Sequence, residues 1–380
     1  LLGSGLFFVR LLMPYVKGAD QFILAFLPGC AAVFLSNCLM TELSGLWAAG
    51  SLPAALWALP CGLLGGGELL FRLRRLLRAR EPQRRSVGVQ SCLSAAFPVC
   101  VVLSLCLILH AVYGVFPFAE AARLNAWDYD QDMLWSVGNA AASRFGFPFQ
   151  DMRAAGLTLN YHFLNDAVAG LLSRAAGCSA WHGLCYFWNG VVLCLSVTGL
   201  ACVGRRFSSH PSAACCIAPI IYLCNTHGTT LPYYLFSNAN AQNTAMLSLC
   251  GLLLMLDCAQ APRLWLHGLA MGFVCFSAAC LIKSTVGLLA LLGLLCAVCV
   301  GVFTKQTRTW HTALLLGGMC GFFVVYWLVL SQATNNLVFV GLQNLGALPS
   351  AYWRFFSVPL LLGYAASLID SLVNFRRLSL

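Results

Sequence analysis

Residues 272–295 read GFVCFSAACLIKSTVGLLALLGLL, and Lys283 is the single charge among them. Counted outward in both directions, Lys283 interrupts roughly forty apolar residues, about twice what one helix needs to cross the hydrocarbon core of a bilayer. No water-facing surface can be built on such a segment. Two apolar helices meeting at a lysine fit it, and an ammonium there either reaches the membrane surface or finds a partner.

The rest of the chain repeats the pattern. Sixty per cent of its 380 residues are apolar and 9% are charged, and the mean hydropathy is +0.81. A soluble domain carries about 25% charged residues, so the shortage of charge excludes one. The expected fold is all-α: a polytopic transmembrane bundle of about eleven spans, with a large extracytoplasmic loop containing short helices.

The expected spans follow the apolar runs. The first covers Leu1–Val16, the second Gln21–Met40 and the third Leu46–Phe71. The stretch RLRRLLRAREPQRR, Arg72 to Arg85, then holds seven Arg and one Glu. Clustered Arg marks the cytoplasmic side. The fourth span, Ser91–Phe116, runs outward, and the polar stretch Pro117–Ala180 falls outside. The fifth, Trp181–Val203, returns to Arg205 and Arg206. The sixth ends at Asn225, before the outside loop THGTTLPYYLFSNANAQN. The seventh returns to Arg263, the eighth reaches Ile282, and the ninth returns to Lys305 and Arg308. The tenth leads to SQATNNLVFVGLQNLGALPS, and the eleventh returns to Arg376 and Arg377. One orientation satisfies every basic loop. Residues 1–90 are read as N-terminal membrane helices with the basic loop, and residues 91–380 as a catalytic membrane module built around loop 117–180. The chain starts at Leu1 and ends just past a basic pair, as a piece of a longer protein would.

The net charge of +10 does not point to nucleic acid, because the Arg residues sit in short clusters between apolar runs. The 20 Cys do not read as a disulfide framework. Most lie inside apolar runs, where Cys behaves as a small hydrophobe, and the C-x-x-C of Cys296 and Cys299 falls mid-span.

The chemistry is concentrated in the loop after the fourth span. Asp128, Asp130 and Asp132 fall within five residues, and five of the chain's twelve acidic residues lie between Asp128 and Asp166. Carboxylates this close repel unless a proton or a cation sits among them. On a helix Asp128 and Asp132 share a face; in an extended stretch all three do. Convergent carboxylates suit a general base beside a divalent ion, Mg²⁺ or Mn²⁺, with Asp130 and Asp132 the residues to hold it. The bland alternative is a solvated, helix-capping acidic turn. Further along come Gly146-Phe147-Pro148, Asp151, Arg153, Gly156 and Asn160-Tyr161-His162. Phe145, Phe147 and Phe149 suit a loop that dips to the membrane surface. His162 is a candidate acid, base or ligand, although a single His is more often structural.

This layout resembles the superfamily of membrane glycosyltransferases with the C-type (GT-C) fold. The acidic motif Asp128-Tyr-Asp130-Gln-Asp132, then Asp132–Trp135, Gly146-Phe147-Pro148, Asp151–Gly156 and Tyr161-His162, looks like that of bacterial members. Lys283 resembles the lysine of a second family element, with Ser284 and Thr285 departing from the commoner Lys-Gly-Pro. The resemblance implies sugar transfer from a polyprenyl-phosphate donor, with inversion, to a cell-envelope acceptor outside a bacterial membrane. Asp128 or Asp130 would be the base. Lys283 would hold the donor phosphate, helped by Arg153, by Arg354 or by a divalent ion. Asp151, Tyr161 and His162 would line the cleft. A multi-pass transporter or lipid-linked-sugar flippase is the rival reading, and the membrane-embedded charges Arg10 and Asp257 speak for it.

Overall fold

The computed structural model describes residues 1–46, 56–78, 131–143, 147, 149–152, 159, 162–207, 239–259, 265–305, 309–326 and 328. Among the described residues the fold is all helical, without strands. Helix α1 spans Leu2–Leu12 and α2 Ala19–Leu46. A 3₁₀ turn, Leu56–Ala58, leads into α3, Leu59–Arg78. Short helices α4, Gln131–Ala142, and α5, Leu164–Ala175, follow. A π-helical stretch, His182–Trp188, runs into α6, Asn189–Phe207. The remainder are α7, Ala239–Ala259; α8, Trp265–Ile282; α9, Ser284–Phe303; and α10, Thr309–Val325.

Helix α2 is the axis of the bundle. It packs against α1, α3, α5, α6, α7 and α8, and Ile23 to Leu27, Cys30 and Val33 are buried along it. A helix apolar on every side has no solvated face and belongs in an interior. Helix α9 is as apolar yet leaves Leu288, Leu289, Leu292, Leu295, Val302 and Phe303 exposed.

Among the described residues, four helical segments are long and apolar enough to cross a membrane: Ala19–Leu43, Leu56–Arg75, His182–Phe207 and Ser284–Phe303. Shorter apolar helices run over Leu2–Leu12, Asn243–Asp257, Leu266–Ile282 and Thr309–Val325. The expected fourth, sixth and eleventh spans lie outside the described residues. The first expected run, to Val16, is helical only to Leu12. Pro14 disfavours the helical conformation at Met13, which adopts φ −137°, ψ 60°. Half of the basic stretch, expected as a loop, is instead the last turns of α3, reaching Arg78. The outside loop expected to end at Asn243 gives way to α7 at Ala239.

Helices α8 and α9 are joined by one residue. Lys283 is extended, at φ −157° and ψ 112°, and the next residue opens α9. The hairpin closes because Gly287 faces Cys280: a Cβ at 287 would stand 2.2 Å from the Cys280 Sγ. Lys283 therefore sits at an apex, as its isolation in the sequence predicts.

The bundle has two chemically different ends. At one, the middle of α3 and the last turns of α1, α6 and α7 meet the first turn of α2 through ion pairs and a hydrogen bond. Glu68, 1% exposed, accepts from Arg10 Nε at 2.6 Å and Arg72 Nε at 2.7 Å. Arg72 Nη1 also donates to Gln21 Oε1 at 2.8 Å. Asp20 accepts from Arg205 Nη2 at 3.1 Å and Arg206 Nη1 at 2.7 Å, and Arg206 also pairs with Asp257. Of these, Arg72, Arg205 and Arg206 are residues that the charge pattern assigns to one side. Lys283, α4 and α5 gather at the other end.

Candidate functional site

The loop end is built by threading the segment before α5 under the α8–α9 apex. The Phe163 amide donates to the Leu281 carbonyl at 3.0 Å. That bond sets His162 beside Lys283 although 120 residues of sequence separate them. Burial and then the Lys283 charge lower the His162 pKa to about 3. The imidazole is therefore neutral at pH 7, able to accept or donate a hydrogen bond but carrying no charge of its own.

The segment ahead of it is a closed loop. The Leu159 amide donates to the Phe149 carbonyl at 2.7 Å, so Asp151 lies on a short excursion whose ends are pinned. Phe147, Phe149 and Phe163 stack around Phe34 of α2, with ring centroids 5.4, 6.2 and 5.5 Å from it. The expectation that Phe147 and Phe149 dip to a membrane surface is corrected by this cluster. Their rings are taken up by α2, and Phe149 is 3% exposed. Phe145 lies outside the described residues.

The backbone of Asp132 belongs to α4, Gln131–Ala142, and its side chain lies outside the described residues. Asp128, Asp130, Arg153, Tyr161 and Arg354 lie outside the described residues. Of the residues singled out in the sequence, the fold thus brings His162 and Lys283 together and places Asp151 and Asp132 on the same loop assembly. Among the described residues no group of three or more His, Cys, Asp or Glu could hold a metal ion. The ion site expected at Asp130 and Asp132 rests on side chains outside the described residues.

Beneath α4 lies a polar cluster that the sequence reasoning missed. Asp166, 7% exposed, accepts from Asn165 Nδ2 at 3.0 Å and Asn139 Nδ2 at 3.3 Å, and Ser136 also bonds to it. Asn165 Oδ1 accepts from Trp188 Nε1 at 2.9 Å and Thr244 Oγ1 at 2.8 Å. Four elements, α4, α5, the π-helical stretch and α7, thus meet at one amide–carboxyl pair. The helices approach closely because Gly170 lies on α4: a Cβ there would be 1.9 Å from the Ala140 carbonyl oxygen. Burial pushes the Asp166 carboxyl up to about 6, against the opposing pull of its three hydrogen bonds. The signal was present in HFLNDAVAGLL, where an Asn-Asp pair is enclosed by apolar residues on both sides.

The two charges that favoured a transporter are otherwise accounted for. Arg10 pairs with Glu68 and lies 4.5 Å over the Phe71 ring, and Asp257 pairs with Arg206. The cysteines Cys30, Cys61, Cys250, Cys275 and Cys280 are free and lie in packed helices, as expected for small hydrophobes.

Comparison of the chain with protein-family models, curated proteins and solved structures returns no match.

Proposed function

We propose that this chain is a multi-pass membrane glycosyltransferase that takes a sugar from a polyprenyl-phosphate donor and passes it to an extracytoplasmic acceptor. The observation that carries the reading is the placement of His162, from the segment after the acidic run, beside Lys283, at the α8–α9 apex. An ammonium held there is a point charge suited to a departing phosphate. The basic helix ends lie at the opposite end of the bundle, which agrees with a loop end facing outward.

In this mechanism one carboxylate of Asp128, Asp130 and Asp132 takes the proton from the acceptor hydroxyl as it attacks the anomeric carbon. The bond to the phosphate oxygen breaks, and Lys283 neutralises the charge left on the phosphate. Arg153 or Arg354 would add a second cation. Asp130 and Asp132 would hold a divalent ion if one takes part. His162, being neutral, hydrogen-bonds the donor or acceptor and does not act as a cation. Asp151 and Tyr161 line the same loop.

The test is transfer by purified protein in nanodiscs, offered a panel of labelled polyprenyl-phosphate sugars with and without Mg²⁺ or Mn²⁺. Asp130→Asn is run beside wild type. Transfer that disappears in the variant supports the reading. Wild-type transfer in Asp128→Asn, Asp130→Asn and Asp132→Asn alike sinks the acidic-loop mechanism. A second reading, a transporter or flippase, draws on Asp166, a buried acid inside a helical bundle. Flux in proteoliposomes without turnover of any donor would favour it.

A further inference from the structure

The basic end holds more cations than its acids take up. Glu68 and Asp20 engage Arg10, Arg72, Arg205 and Arg206. Lys17, Arg74 and Arg75 are exposed, and among the described residues none of the three makes an ion pair. Arg74 and Arg75 close the apolar segment Leu56–Arg75, which is long enough to cross a membrane. Lys17 lies in the turn between α1 and α2. That turn is tied to α3 through Gln21, which donates to the Val16 carbonyl and accepts from Arg72 at 2.8 Å. The surroundings of Arg74 decide what it meets. On a helix a residue's neighbours are those three and four positions away. For Arg74 they include Leu70, Phe71 and Leu77, all exposed, and Leu59, Leu63 and Leu73 continue the same apolar face. This guanidinium therefore stands on the lipid-facing side of α3, at the level where the apolar segment ends. There it lays its stem on the leucines and turns its head to the polar boundary of the bilayer.

We propose that Arg74, with Arg75 and Lys17 at the same end, forms a docking surface for the phosphate headgroup of an anionic phospholipid in the adjoining leaflet. Charge complementarity fixes the partner. Cations that no acid engages, set at the edge of an apolar span, attract a headgroup of net negative charge. The planar fork of an arginine meets two phosphate oxygens at once. A zwitterionic headgroup sets its own ammonium against that attraction. A free phosphate would use the guanidinium and leave the leucines without a partner, whereas a phospholipid uses both, its acyl chains lying on Leu70, Leu73 and Leu77. Because α3 is held to α1 and α2 through Glu68 and Arg72, a lipid bound here anchors the fastened end of the bundle to one leaflet. The surface is independent of the sugar-transfer reading and would serve a transporter equally.

The experiment places the full chain in phosphatidylcholine nanodiscs carrying a trace of spin-labelled phosphatidylglycerol or spin-labelled phosphatidylcholine. The spectrum gives the fraction of each label that the protein immobilises. Wild type should hold the phosphatidylglycerol label about tenfold more strongly than the phosphatidylcholine label, and the preference should shrink as NaCl is raised. Arg74→Gln, checked as folded by its melting temperature, should lower the preference about fivefold, the worth of one cation at a membrane surface. Arg74→Lys, which keeps the charge, should retain most of it. Equal immobilisation of the two labels by wild type overturns the proposal, whether or not the variants fold. So does an undiminished preference in folded Arg74→Gln. Release of the labelled phosphatidylglycerol by inorganic phosphate, at constant ionic strength, would make this a site for free phosphate and overturn the lipid assignment.

Discussion

The two ends of this bundle solve the same problem in opposite ways. At the basic end, buried Glu68 and Asp20 are each held by two guanidiniums, and the arginines remain partly solvated. At the loop end, buried Asp166 is held by amides and a hydroxyl, while the nearby cation, Lys283, faces a neutral histidine. Paired charges fasten helix ends together. The basic end is read as architecture, and the loop end, where His162 comes beside Lys283, as the proposed site of chemistry.

The largest loss expected from breaking the architecture is at Glu68. Glu68→Gln removes the acceptor of two charge-assisted bonds and should lower stability by about 3 kcal/mol, seen as a fall in the melting temperature of protein in detergent. Gly287→Ala should cost about 2 kcal/mol by forcing the α8–α9 hairpin open. Cys280→Ala should restore part of that loss, because the clash is with the Cys280 sulfur. An unchanged melting temperature in Gly287→Ala would mean the two helices do not pack as described. Arg10→Met should cost only about 1 kcal/mol, because Arg72 still holds Glu68 and Arg10 is 41% exposed. A loss as large as that of Glu68→Gln would make Arg10 the principal partner.

Much of this contrast was legible in the sequence. The basic helix ends and the solitary Lys283 stand out because charge is so scarce elsewhere. The apex at Lys283 and the convergence of Arg72, Arg205 and Arg206 on one end follow from reading charge against apolar run length. The nearness of His162 to Lys283 was legible only as two residues on one predicted side, since the backbone bond from Phe163 to Leu281 that brings their segments together depends on tertiary packing. The Asp166 cluster was missed because its members come from four separate elements, and Asn139, Trp188 and Thr244 carry no charge to mark them. Phe147 and Phe149 misled for a related reason: apolar residues beside a turn look the same whether they meet lipid or the ring of Phe34.

Slopes of stability with pH are expected too, and they have opposite signs at the two loop-end groups. His162 has a folded pKa of about 3, below its unfolded value, so unfolding takes up a proton as pH falls through 6.5. Its contribution to stability is complete above 6.5 and shrinks towards pH 3. Asp166, raised to about 6, does the reverse: its contribution is complete below about pH 4 and is lost by pH 6 and above. In melting temperatures recorded from pH 4 to 7, His162→Gln should flatten the loss on acidification, and Asp166→Asn should flatten the loss on raising pH from 4 to 6. Identical profiles in wild type and His162→Gln would place that imidazole in water.

The measurement that bears most directly on the loop end as the site of chemistry is sugar transfer by Lys283→Met and Glu68→Gln in nanodiscs, each assayed below its melting temperature against wild type. Transfer should fall about a hundredfold in Lys283→Met, the scale of losing one charge stabiliser, and stay near wild type in Glu68→Gln. Equal transfer in Lys283→Met and wild type, or a collapse confined to Glu68→Gln, would contradict the division of the molecule into a fastened end and a working end.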